Sequence, residues 1–157
     1  MTQNSTNDGL KIALFEPDIP QNTAAIIRTC ACLGAKLEII EPCGFLFSGK
    51  RFKRVVMDYI NEKEIRFYKS SDHFFRSKEN QRIILMTTKA SVSYTNFKFD
   101  INDTILFGRE SAGVPDKIHK LIKNRLKIPM KNNNRSLNIS SSVSIILAES
   151  LKQNKLI

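Results

Sequence analysis

The chain has 157 residues, 41% of them hydrophobic and 25% charged, with no Trp; that length buries one core without metal or disulfide support, and the composition excludes a wholly disordered or collagen-like chain. A formal net charge of +10 predicts a surface that attracts polyanions, nucleic acid first among them. No apolar stretch reaches the roughly 18 residues of a membrane span, and residues 1–9, "MTQNSTNDG", lack the basic start and apolar run of a signal peptide. A soluble, cytoplasmic protein is expected, with a disordered tail over residues 1–9 and one domain over residues 10–157.

In chain order, "LKIALF" (residues 10–15) is a short β-rich run that Pro17 and Pro20 interrupt. Asn22 or Thr23 is then placed to cap a helix whose apolar positions Ile26, Cys30 and Leu33 follow helical spacing, and Gly34 ends it. "KLEIIE" (residues 36–41) reads as the next strand, so the chain opens with a β-α-β unit. In the middle, residues 50–57 read as one or two helical turns, "IRFYK" as a strand and "SDHFFRSK" as a Ser-capped helix.

"RIILMTT" (residues 82–88) and "DTILFG" (residues 103–108) are continuous apolar runs, as expected of strands covered on both faces. Pro115 stands at a position suited to a first helical turn in "PDKIHKLI", and "RLKIP" makes a last short strand. From Asn138, the residues Ile139, Val143, Ile146, Leu147 and Ser150 lie on one helical face. Alternating strands and helices predict an α/β fold, a mostly parallel sheet with helices on both faces.

Such sheets place ligands beyond the carboxyl ends of their strands. Polar stretches follow three of them: "EPDIPQNTAAIIR", "GRESAGVP" and "PMKNNNRSLN". A phosphate-binding P-loop is excluded for the second, because Val114 and Pro115 follow Gly113 where Lys and Ser or Thr are required. A nucleophile elbow is excluded because Arg109, not Gly, stands two residues before Ser111. Gly108 and Gly113 read as bends that let backbone approach a ligand or another loop. Ser136 and Asn138 are residue types suited to capping the last helix, a use compatible with ligand contact.

Basic residues fall into two patches. Lys117, Lys120, Lys123, Arg125, Lys127, Lys131 and Arg135 follow one another with no acidic residue between, and Lys50, Arg51, Lys53 and Arg54 form the second. Cys30, Cys32 and Cys43 have no C-x-x-C spacing and are odd in number, which argues against zinc and against a disulfide framework and for buried thiols in a reducing cytosol. Cys30 and Cys32 would point to different faces of the first helix.

Together "PQNTAAIIRTC", "LFGRESAGVP" and "KIPMKNNNRSLNISSSVSI" resemble the three ordered motifs of the SpoU/TrmH branch of the SPOUT methyltransferases, and within it the small TrmL-type tRNA wobble-nucleotide 2′-O-methyltransferases. The resemblance runs from about residue 10 to about residue 153. It implies an α/β fold whose C-terminal segment forms a deep trefoil knot, an S-adenosyl-L-methionine site in that knot, and a homodimer joined through the first and last helices.

Carried over by motif, the resemblance assigns cofactor contacts to Met86, Thr87, Gly108, Glu110, Gly113, Ile128, Met130, Ser136 and Leu137. It assigns catalysis to Arg28 with Asn22, Ser136 and Asn138. A guanidinium, whose pKa lies above about 12, is a poor proton acceptor, so Arg28 is better suited to orienting the hydroxyl through an RNA phosphate or stabilising a developing alkoxide. Lys50, Arg51, Arg54, Lys131 and Arg135 would hold RNA phosphates, and no metal is required. The chain departs from the pattern at Ala24, where the family has Gly, and in "GRESAG" for "GPETRG", where Arg109 replaces a proline and Ala112 an arginine.

The implied reaction is methyl transfer to the ribose 2′-hydroxyl of tRNA, at the wobble nucleotide 34, on cytidine or modified uridine. Two other readings fit the same chain: a knotted RNA-binding factor without catalysis, and methylation of ribosomal RNA.

Overall fold

A computed structural model of the chain describes residues 9–47, 52, 54, 64–132 and 135–157. The expected disordered segment over residues 1–9 falls, except for Gly9, outside the described residues, as do Lys50, Arg51 and most of the expected helical turn over residues 50–57.

Strands β1 (Lys11–Phe15), β2 (Lys36–Ile40), β3 (Ile65–Tyr68), β4 (Ile83–Met86), β5 (Val92–Ser93), β6 (Thr104–Phe107) and β7 (Asn124–Lys127) form one sheet in the order β3-β2-β1-β6-β4-β7-β5. Every pairing is parallel. Among the described residues, helices include α1 (Pro20–Leu33), α2 (Ser71–Ser77), α3 (Asp116–Leu121) and α4 (Ile139–Gln153).

Because side chains alternate across a strand, β1 sends Ile12 and Leu14 to one face and Ala13 and Phe15 to the other, and two cores form. The first packs Ile12, Leu14, Ile39, Ile105 and Leu126 against Ile26, Ile27 and Cys30 of α1 and Val143, Ile146 and Leu147 of α4. The second packs Ala13, Phe15, Ile40, Leu85 and Leu106 against Phe74 of α2 and Ile118 of α3. Burial on both faces explains the unbroken apolar runs of β4 and β6.

Helix boundaries differ from the sequence expectation where proline governs the backbone. α1 begins at Pro20, earlier than a cap at Asn22 or Thr23 would allow; Ile19 is extended (φ −115°, ψ 107°) and supplies no side-chain cap. A proline's fixed φ suits a first helical position and forces the residue before it out of helical geometry. At α3 the reverse holds: Pro115 flanks the helix at the capping position and Asp116 is its first residue. Ser70, one residue before the expected segment, caps α2 by accepting from the His73 N–H at 3.1 Å. Gly34 closes α1 in the left-handed region (φ 79°) and donates to the Cys30 carbonyl, and Cys30 is buried while Cys32 is exposed.

β1 pairs with β2 on one side and β6 on the other, so successive connections leave it in opposite directions. The loops after β1, β4, β6 and β7 gather at this reversal, on the carboxyl side of the sheet, where open α/β sheets bind ligands.

Candidate functional site

Those loops enclose a cavity of about 540 Å³, within the range of about 300–1,000 Å³ usual for small molecules and cofactors. Met86 and Thr87 reach it from the end of β4, Gly108, Glu110 and Gly113 from the loop after β6, and Ile128, Met130, Ser136 and Leu137 from the segment after β7. Asn22 and Asn138, at the starts of α1 and α4, also line it. Every residue assigned to the cofactor by motif is therefore at this one cavity.

The glycines are there for space. A Cβ on Gly108 would lie 2.6 Å from Gly113 Cα and 2.7 Å from its carbonyl carbon, and Gly113 itself has φ 66°. Arg109 and Gly113 bond through both backbone pairs, N to O at 3.1 Å and 2.8 Å, which folds the loop into a tight bend that only glycine tolerates at these positions.

Asn138 caps α4, its Oδ1 accepting from the Ser140 N–H at 2.9 Å and the Ser140 hydroxyl at 2.6 Å. Its Nδ2 donates to Asn22 Oδ1 at 2.9 Å, and Asn22 Nδ2 donates to Glu110 Oε1 at 3.4 Å. Glu110 Oε2 accepts the Asp18 backbone N–H at 3.0 Å. One chain of polar contacts thus joins the loops after β1, β6 and β7.

The charges here perturb one another. Hydrogen bonding with Glu110, then with Ser111, holds the Asp18 carboxyl below its ordinary value. Burial, and after it the Asp18 side chain, pushes the Glu110 carboxyl up. Arg109 turns toward the first loop: its Nε donates to the Glu16 carbonyl at 3.3 Å, and its guanidinium lies 3.8 Å from the Glu16 carboxylate and 3.9 Å from Asp18 Oδ2. Its charge is thus directed at those acids.

Arg28 is exposed on α1 and does not line the cavity of its own chain. Arg54, Lys131 and Arg135 are exposed. Lys89 and His119 line the cavity although neither was assigned to the site from the sequence. Lys89 was detectable as the residue ending "MTTK" at the carboxyl end of β4, whereas His119 sits inside an ordinary helical pattern. Arg125 Nη1 lies 3.0 Å from His119 Nδ1 and donates to the His119 carbonyl at 3.4 Å.

A second cavity, of about 600 Å³, lies at the amino ends of β1, β4 and β6. Its Arg82 is already bound by two bonds of 2.7 Å to Asp103, a carboxylate at the end of the sheet where stability rather than ligand binding is usual. Among the described residues no group of His, Cys, Asp and Glu could hold a metal ion, and no helix is long and apolar enough to cross a membrane.

The model of the family described as "SpoU rRNA Methylase" matches residues 9–148. A relative from Beijerinckia indica subsp. indica, named tRNA (cytidine(34)-2'-O)-methyltransferase, is 42% identical over 144 residues, covering 90% of each chain. A solved structure described as "Structural insights into the 2-OH methylation of C/U34 on tRNA" superposes with a TM-score of 0.87 at 33% identity, covering 94% of this chain and 97% of its own. An AdoMet-bound rRNA methyltransferase from Sinorhizobium meliloti shares the fold, with a TM-score of 0.82 at 22% identity, over 92% of this chain and 56% of that one.

Proposed function

Since the chain belongs to the SpoU rRNA methylase family, as the match over residues 9–148 shows, we propose that it transfers a methyl group from S-adenosyl-L-methionine to the ribose 2′-hydroxyl of nucleotide 34 in tRNA. The observation that carries this reading is the gathering of all three motif loops around one cavity of suitable size, in a chain that matches wobble-nucleotide methyltransferases over nearly its whole length.

The cavity fits the cofactor in its chemistry as well as its size. Apolar Met86, Ile128 and Leu137 offer surface to a purine, and the close approach of Gly108 to Gly113 exposes backbone donors and acceptors that a side chain would cover. Bound there, the cofactor supplies an electrophilic sulfonium methyl group. The protein's work is to align the sugar oxygen and exclude competing water. Ser136 and Asn138 hold the ribose and the methionine end, and Asn22 keeps Asn138 in place through its 2.9 Å bond.

The functional unit under this reading is a homodimer packed through α1 and α4. Arg28 lies outside its own chain's cavity, and a site shared between two copies gives it a reacting centre to serve, as an orienting or charge-stabilising group. The C-terminal segment is threaded into a trefoil knot; the insertion of β7 between β4 and β5 supports that path. Arg54, Lys131 and Arg135 contact phosphates of the anticodon arm in the cytoplasm.

The test is to map ribose methylation by mass spectrometry on total tRNA and, in parallel, on ribosomal RNA, each incubated with the protein and labelled S-adenosyl-L-methionine. A 2′-O-methyl mark at nucleotide 34 is expected. Label found only in ribosomal RNA, or in no RNA, overturns the assignment.

A further inference from the structure

Methylation of a hydroxyl releases a proton, and the cavity limits which group can take it. Of its titratable residues, Lys89 and Arg109 are cations with no acceptor to offer. His119 has its Nδ1 facing the Arg125 guanidinium at 3.0 Å; a guanidinium can only donate, so Nδ1 accepts and the remaining Nε2 carries the hydrogen. Glu110 is the one carboxylate at the cavity wall among the described residues.

Its two oxygens are held unequally. Oε2 receives the Asp18 N–H at 3.0 Å, whereas Oε1 receives the longer 3.4 Å contact from Asn22, and the carboxyl also hydrogen-bonds with the Asp18 side chain. We propose that Glu110 is the catalytic proton acceptor, its Oε1 taking the proton of the ribose 2′-hydroxyl. The carbon–oxygen bond forms as the carbon–sulfur bond breaks, sulfur keeps that electron pair, and the proton ends on the Glu110 carboxylate, so charge and atoms balance. This inference rests on the methyl-transfer reading above.

The surroundings make Glu110 more basic than an ordinary glutamate. Burial is the larger cause and the adjacent Asp18 the next. Around the pair stand Glu16 from the loop after β1, Glu41 and Cys43 from the loop after β2, and Arg109 from its own loop; Arg109 is drawn to Glu16 and Asp18. Asp18 acts here as a positioning residue, fixing Glu110 through its backbone N–H and raising its basicity through the side-chain hydrogen bond between the two carboxyls, with its charge a lesser cause.

The experiment compares wild type, Glu110→Gln and Asp18→Asn in single-turnover methyl transfer across pH, with S-adenosylhomocysteine affinity measured by calorimetry. The Glu110 side-chain carboxyl is titrated in parallel by carbon NMR on the protein without cofactor. Glu110→Gln should still bind S-adenosylhomocysteine measurably, lose roughly 10²- to 10⁴-fold in rate at saturating cofactor, and lose the acid limb of the pH profile. Asp18→Asn should move both that limb and the NMR titration to lower pH, because the hydrogen bond between the two carboxyls and, after it, the neighbouring negative charge have gone. A Glu110→Gln enzyme with wild-type rate and an intact acid limb overturns the proposal. If that variant does not fold, an unmoved limb in Asp18→Asn overturns it instead. A wild type that binds S-adenosylhomocysteine but methylates no RNA sinks the functional reading itself, a distinct result.

Discussion

Asn138 Nδ2 lies 2.9 Å from Asn22 Oδ1, a bond between residues 116 positions apart in the chain. It fastens the start of the last helix to the first turn of the first, with Glu110 joined to the same amide. Asn138 has a second duty as the α4 cap. Asn138→Ala should therefore lower stability by about 1 kcal/mol, the usual value of a cap, and reduce methyl transfer. Asn22→Ala keeps the cap and should reduce transfer with a smaller loss in urea denaturation. Equal stability losses in both would mean that the cap contributes nothing.

Gly108 and Gly113 approach too closely for a side chain between them. In Gly108→Ala the added methyl group meets backbone, which moves only with its whole loop. A loss of about 1–3 kcal/mol is expected from such overpacking, together with at least about tenfold weaker S-adenosylhomocysteine binding in calorimetry.

Away from the site, Lys78 Nζ bonds Glu38 Oε1 at 2.6 Å inside the protein, with side-chain exposures of 2% and 4%. Removing one partner strands a buried charge. Lys78→Met should cost about 3–5 kcal/mol in urea denaturation, whereas Lys78→Met with Glu38→Leu should recover most of that loss.

Cys43 sits beside Glu41, Glu16 and Glu110, and burial followed by these charges pushes its thiol up to about 12. Burial alone does the same for Cys30. At pH 8 either holds on the order of one thiolate in 10⁴ molecules. Iodoacetamide at that pH should label exposed Cys32 in the folded protein and all three cysteines in urea; prompt native labelling of Cys43 would contradict its surroundings.

Lys131 and Arg135 flank the segment that follows β7, and both are exposed. If they meet phosphates of a single-stranded loop, replacing both with Gln should reduce the slope of log affinity against log salt by about 1.4. The affinity for S-adenosylhomocysteine should stay unchanged. Filter binding at several salt concentrations measures the first, calorimetry the second.

Local physics was enough for the longer strands, because an apolar run between breakers has few alternatives when both sheet faces are covered, and β4 and β6 lie where their runs predict; the two-residue β5 (Val92–Ser93), which has no such run, was not foreseen. The capping role of Asn138 and the left-handed end of α1 at Gly34 were legible for the same reason: each depends on neighbours within a few residues. The start of α1 was misread because Asn22 is a good cap in isolation, and Pro20 governs the backbone before it.

Contacts between residues far apart in sequence followed no local rule. Periodicity could not place Asn22 against Asn138, turn Arg109 toward Glu16 and Asp18, or set His119 and Lys89 at a cavity wall. Strand order decided those, by bringing four loops to the point where connections reverse direction. Composition fixed the basic character of the chain, but only packing determined which acids would sit together and how strongly Glu110 would hold a proton, since burial and a neighbouring charge are properties of space rather than of sequence.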